Sequence, residues 1–241
     1  GVGTNKVINL ITGLDIRNHV GEGDGCVLAS TPYDISLGTK NIRIFHTVGL
    51  RDHQMDVDGY LKAIERAYKL VRSLTDAGGV HLLLFCMLGV VTRPTVMARK
   101  NHQLFYEFLC NKKVPTALVV IGLGKEKRME DWWGRNEENL GGIGAGCVGH
   151  ACITVVRDNT PGQNNKYAES KETVHELLRQ HATGDNAFLP DGWFVTLGRK
   201  MMNFIPNKRP IQPNDIKKVL TKSCNVDSES AGRMAEDIVR P

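Results

Sequence analysis

The chain opens on residues suited to holding phosphate. Gly1-Val2-Gly3-Thr4-Asn5-Lys6 runs directly into the apolar stretch Val7-Ile8-Asn9-Leu10-Ile11. Two glycines ahead of a helix let backbone N–H groups turn toward an anion, and the amino end of the helix adds its dipole. A full phosphate loop ends G-x-G-K-[ST]; its Lys reaches the β- and γ-oxygens, and its hydroxyl holds Mg²⁺. Here Thr4 stands at the Lys position and Asn5 at the hydroxyl position. Lys6 lies two residues further on, about 200° around a helix, so its amine starts from another face. Taken alone, these residues read better as a turn with two glycines. A second candidate, His46-Thr47-Val48-Gly49-Leu50, closes an apolar strand-like run. His46 is a candidate base or metal ligand, although no second His or Cys stands at ligand spacing. Trp132-Trp133 offers either a stacking surface for a base or one core and one surface aromatic. Glu126, Glu130 and Asp131 read as a charged helix start.

The elements that position these residues follow from periodicity. Residues 33–37 and 42–47 are apolar-rich runs joined by Gly38-Thr39-Lys40-Asn41, which predicts a hairpin. Residues 55–77 carry apolar positions at helical spacing, and Gly78-Gly79 stops them. Continuous apolar runs over 80–87, 114–123 and 150–156 predict strands buried on both faces. Helices are expected over 91–109, 129–140, 166–181, 192–205, 214–224 and 228–239, and a polar Pro/Gly linker over 159–165. Strands alternating with helices imply an α/β fold with a mostly parallel sheet covered on both sides. The expected division is a core over 1–158, the linker, and a helical carboxyl-terminal extension over 166–241.

Composition is that of a globular chain, with 41% hydrophobic and 24% charged residues. No run reaches the roughly 18 apolar residues of a membrane span. Among the six cysteines no C-x-x-C pair occurs, which argues against zinc and for a reducing, cytoplasmic setting. Net charge is +5, and residues 199–222 hold seven basic side chains against one acid, Asp215. That face reads first as a solvated helix surface, and otherwise as a contact for acidic lipid, nucleic acid or an acidic partner. A chain that starts at Gly1, inside a glycine-rich loop, is expected to be a fragment of a longer product.

Several stretches taken together resemble a family. They are the G-V-G opening with V-I-N-L-I, Gly25-Cys26-x-Leu28, T-V-G-L, and Leu83-Leu84-Phe85-Cys86-Met87. Met129-Glu130-Asp131-Trp132-Trp133, His150-Ala151-Cys152-Ile153-Thr154 and Gly192-Trp193-Phe194 complete the set. The chain is similar, over nearly all of its length, to fungal G-domain proteins related to the septin-like immunity-associated and chloroplast-import GTPases.

That resemblance implies a three-layer α-β-α P-loop NTPase fold that binds GTP with Mg²⁺ and hydrolyses it slowly under control of a dimer or protein partner. No nucleic-acid partner is expected. It also implies that a strand ahead of Gly1, central in G domains, is missing between the strand ending at His46 and that over 80–87. Either a gap or a direct pairing of those two strands should result. The nucleotide-binding set becomes Gly1, Val2, Gly3, Thr4, Asn5, Lys6, Thr47 and Gly49. Against the family pattern, His46 replaces the Asp of D-[TS]-x-G, Val27 stands at the switch Thr, and Gly124 replaces the acid that reads guanine. The expected function is GTP binding with weak or absent hydrolysis; the alternative is a pseudo-GTPase serving as an interaction module.

Overall fold

The computed structural model describes residues 3–15, 28–50, 56–157, 161–182, 187–189, 194–205 and 211–240. Its elements are, in order, α1 (Thr4–Thr12), β1 (Ser30–Leu37), β2 (Lys40–Thr47), α2 (Val57–Asp76), β3 (Leu83–Leu88) and α3 (Val96–His102). A π-helical turn (Gln103–Leu109), β4 (Thr116–Ile121), α4 (Asp131–Asn136), α5 (Gly142–Ala145) and β5 (Cys147–Ile153) follow. The carboxyl-terminal part holds α6 (Pro161–His181), α7 (Phe194–Met201), α8 (Pro213–Cys224) and α9 (Ser228–Val239).

β4 is the uncharged run TALVVI, and all six of its residues are buried. It pairs in parallel with β3 on one edge and with β5 on the other, giving the order β3-β4-β5. Its side chains feed two separate cores. Ala117, Val119 and Ile121 meet α1 and α6 residues such as Leu10 and Val174, while Leu118 and Val120 meet Trp132, Leu140 and Ile143. Helices on both faces satisfy the requirement of a sheet whose crossover connections run over it. The fold is α/β, as expected.

β1 and β2 form a separate antiparallel hairpin, from Ser30↔Thr47 to Leu37↔Lys40. The sequence reading puts residues 38–41 in the turn; only Gly38 and Thr39 are there, because Lys40 and Asn41 pair with Leu37 and Ser36. Ile35, Ile42 and Ile44 pack on the same core as α1, while Asp34 and Arg43 pair across the outer face at 2.6 Å. Of the two outcomes expected beside β2, the structure has the gap: among the described residues the hairpin and the parallel sheet share no backbone pairing.

Apolar residues at helical spacing bury one face of α2, including Tyr60, Ile64, Leu70 and Leu74. Asp56 caps it, its side chain accepting from the Gly59 N–H at 2.7 Å. Leu197, Met201, Ile216, Leu220 and Ile238 of the last three helices join this core at zero exposure. The carboxyl-terminal helices thus pack on α2. The polar stretch expected as a linker over 159–165 is helical from Pro161, so α6 runs 21 residues.

Other boundaries differ for physical reasons. The strand expected over 80–87 starts at Leu83, because Val80 pairs instead with Phe188 in an isolated bridge. The helix expected over 91–109 starts at Val96 behind its cap Thr95 and widens to a π-helix at Gln103. There the Cys110 N–H reaches Phe105 O at 3.0 Å, and Asn111 and Lys112 leave it with φ of 49° and 59°. Trp133, for which one reading was the surface, is buried and stacks on His150 with ring centroids 3.8 Å apart. The described cysteines are all free; burial pushes Cys86, Cys110 and Cys152 up to about 12 and Cys147 to about 11. Among the described residues no helix is long and apolar enough to cross a membrane.

The Tyr60 hydroxyl donates to Gly198 O at 2.9 Å inside this core, tying α2 to α7. Tyr60→Phe keeps the ring and orphans that carbonyl, so urea unfolding should show a loss of about 1–3 kcal/mol. A loss indistinguishable from zero would mean that the bond does not hold the helices together.

Candidate functional site

α1 starts abruptly at Gly3, whose φ of 86° is a left-handed conformation that favours glycine. No side chain caps this end, and the N–H groups of Lys6 and Val7 both turn back on Gly3 O. Its apolar positions Val7, Ile8, Leu10 and Ile11 are buried. The other end is held by α6, where His175 Nε2 donates to Ile11 O at 2.9 Å. The sequence places a glycine turn, a helix start and an apolar face in one short run, and the structure uses all three.

The end of β2 meets that start. His46 Nε2 lies 3.0 Å from Thr4 Oγ1, joining residues 42 apart in sequence. Gly3, Thr4, Asn5, Lys6, Thr47 and Gly49 all border one cleft of about 1160 Å³. Gly1 and Val2, and the switch-loop residues Gly25, Cys26 and Val27, lie outside the described residues. Six of the eight nucleotide-binding candidates thus converge on one space, from two elements distant in sequence.

Sequence reasoning missed Asn101 of α3. Its Oδ1 accepts from the Leu50 N–H at 2.6 Å, and its Nδ2 donates to Leu50 O at 3.1 Å. This amide clamps the chain as it leaves Gly49. A Cβ on Gly49 would stand 2.5 Å from Asn101 Oδ1, so a larger residue must push this amide off Leu50. A polar residue inside a helix carries no signal of such a role; its partner appears only when α3 is laid beside the loop.

The loop after β4 sits where a base would be read in the family pattern. Its carbonyls are already engaged: Lys166 Nζ donates to Gly124 O at 2.9 Å and also to Glu126 O. Ser170, at zero exposure, holds Lys166 O at 2.6 Å and accepts from the Thr154 N–H at 3.0 Å. A lysine thus occupies this loop from the protein side, and Gly124 supplies no carboxylate.

Lys6 and Arg43 border the cleft, and no Asp or Glu does among the described lining residues; the charge of Arg43 is met by Asp34 at 2.6 Å. Among the described lining residues a divalent cation finds no carboxylate oxygen, its usual donor, and the Thr4 hydroxyl is engaged with His46. Among the described residues no three His, Cys, Asp or Glu side chains group as metal ligands. An anion fits better, on Lys6 and the amino end of α1.

No protein-family model matches the chain, and no curated protein matches it either.

Two outcomes are expected from this geometry. Asn101→Ala removes both bonds to Leu50, so hydrogen exchange at the Leu50 amide should speed up about tenfold, while α2 amides are unchanged. Unchanged exchange at Leu50 would show that the clamp is not what orders this turn. The second outcome concerns His102, which borders the same cleft and packs edge-on against Phe85. Burial lowers its pKa, and Glu107 only partly opposes this. A depressed folded-state value means that stability is present above the unfolded value near 6.5 and lost as pH falls through the folded one. The urea midpoint should therefore drop between pH 7 and pH 5 less steeply in His102→Gln than in the parent.

Proposed function

We propose that the chain is a P-loop-type guanine-nucleotide-binding protein that holds phosphates weakly at the start of α1, without Mg²⁺, and does not hydrolyse them. The observation that carries this reading is the convergence of Gly3, Thr4, Asn5 and Lys6 with Thr47 and Gly49 on one cleft free of carboxylates among its described lining residues. Backbone N–H groups and the helix dipole serve an anion whatever side chains stand there. Phosphoryl transfer needs positioned cations and a metal, and Thr4 and His46 offer neither while bonded to each other.

The loss is large. One unit charge 4 Å from a phosphate is worth roughly 4 kcal/mol at an effective dielectric of 20. Without the Lys, affinity falls by about a thousandfold on that figure alone. A second reading, a pseudo-GTPase acting as an interaction module, is favoured by the Lys166 contacts on Gly124 and Glu126, which fill the base-reading loop from within.

A fluorescent mant-GTP titration with and without Mg²⁺ separates the two readings. The proposal expects weak binding of equal strength in both, no phosphate release above background, and weaker binding in Gly49→Ala. The combined variant Thr4→Lys, Asn5→Ser and His46→Asp should tighten binding about 10²–10³-fold and make it Mg²⁺-dependent. No binding at millimolar nucleotide would leave the interaction module. Robust phosphate release by the parent chain, abolished by Gly49→Ala, would overturn the claim of inactivity.

A further inference from the structure

The segment 89–96 leads from β3 into α3 and carries two exposed apolar side chains. Val90 is 85% exposed and Val96 51%. Between them Val91 and Pro94 border the cleft, which neither exposed valine does. An occupant of the cleft would lie against Val91 and Pro94 instead.

The display is held in place. The Gly89 N–H donates to Ile121 O at 2.8 Å, and the Val91 N–H to Leu88 O at 3.0 Å. Trp132 Nε1 donates to Gly89 O at 2.7 Å, and Arg99 donates to Pro94 O at 2.9 Å. A lone exposed valine is ordinary on any protein surface. The charge around this one is not. No Asp or Glu occurs between Asp76 and Glu107, a stretch that holds Arg93, Arg99 and Lys100. Among the described residues none of these three cations forms an ion pair.

A neighbouring loop extends the same surface. β3 and β4 are parallel, so the chain leaves both at one end of the sheet. There a Cβ on Gly89 would stand 2.4 Å from Leu123 Cδ2, so the two turns touch. Lys125 and Lys127 follow Leu123, both exposed and both without an ion pair among the described residues. The acids beside them are already engaged, Glu126 by Arg135 at 2.8 Å and Asp131 by Arg128 at 3.7 Å. The basic stretch 199–222 lacks this combination: among its described residues no large apolar side chain is exposed.

We infer that this end of the sheet docks on an anionic lipid bilayer. Val90 and Val96 enter the headgroup region, and Arg93, Lys125 and Lys127 meet the negative charges at the surface. Apolar tips among unpaired cations match both layers of such a surface, anionic outside and apolar beneath. An acidic protein would match the cations alone. The inference goes beyond the nucleotide reading and does not depend on it.

The test is co-sedimentation of the full chain with two kinds of vesicle. One is phosphatidylcholine alone; the other carries about a third phosphatidylserine. At low salt the chain should pellet with the anionic vesicles and stay in solution with the neutral ones, and high salt should release it. Val90→Asp and Arg93→Glu should each weaken binding about fivefold or more. Lys218→Glu, exposed on α8, should leave it unchanged. Insertion is read separately: in Val90→Trp, emission should shift to the blue, relative to the parent chain, when anionic vesicles are added. Pelleting with neither kind of vesicle, or equally with both, would overturn the inference. So would binding that Lys218→Glu weakens and Val90→Asp does not, or an indole at position 90 that anionic vesicles fail to shift. Retention on polyglutamate without binding to anionic vesicles would overturn it in favour of an acidic protein.

Discussion

The fold depends on one strand having no free side. β4 is bonded along both edges and buried on both faces, so its backbone and side chains are all committed. Burying each large apolar side chain contributes about 1.5–3 kcal/mol, and Leu118, Val119 and Val120 are at zero exposure. β3 and β5 take their positions from it. α6 then packs over β5, and α1 packs under α6 through His175 and Ile11. The hairpin reaches the rest of the molecule largely through α1. The start of α1, and with it the mouth of the cleft, is thus placed by a chain of contacts that ends in a strand of six residues.

Much of this scaffold was legible because it rests on periodicity. Continuous apolar runs marked β3, β4 and β5, and two apolar-rich runs joined by Gly38-Thr39-Lys40-Asn41 marked the hairpin. α9 was read to the residue, since Asp227 caps it and Ala231, Ala235 and Ile238 repeat at helical spacing. The π-helix was not legible: QLFYEFL has good α-helical composition, and in the structure Phe105 and Leu109 border the cleft while Phe108 packs on Phe204. The burial of Trp133 was equally hidden, because its cover is His150, a polar residue in β5. Composition placed the start of α6 too late, since a polar Pro/Gly stretch reads as linker or as a helix amino end with the same residues.

At the site, sequence reasoning identified the types of residue that meet, and not how they are held. Gly3, Thr47 and Gly49 were found from their order in two short motifs. Asn101 and Lys166 were not, because each acts on backbone atoms through a side chain lying far away in sequence. Both satisfy carbonyl or N–H groups of irregular segments, a task that any amide or amine at the right distance performs. Electrostatics separates the two ends of the site. The α1 end has no carboxylate among the described lining residues, whereas the loop after β4 already holds the Lys166 ammonium.

The buried thiols give the molecule a built-in clock. Thiol reagents attack the thiolate, and burial holds Cys86, Cys110 and Cys152 near 12, so in the closed molecule almost none is present at neutral pH. They sit in different places: Cys86, half-buried, on the strand bordering the cleft, Cys110, buried, at the exit of the π-helix, and Cys152, buried, in the core that holds Trp133. The order in which they become alkylated is therefore the order in which the layers come apart. The half-buried Cys86 would report first, and Cys110 and Cys152, both buried, after it.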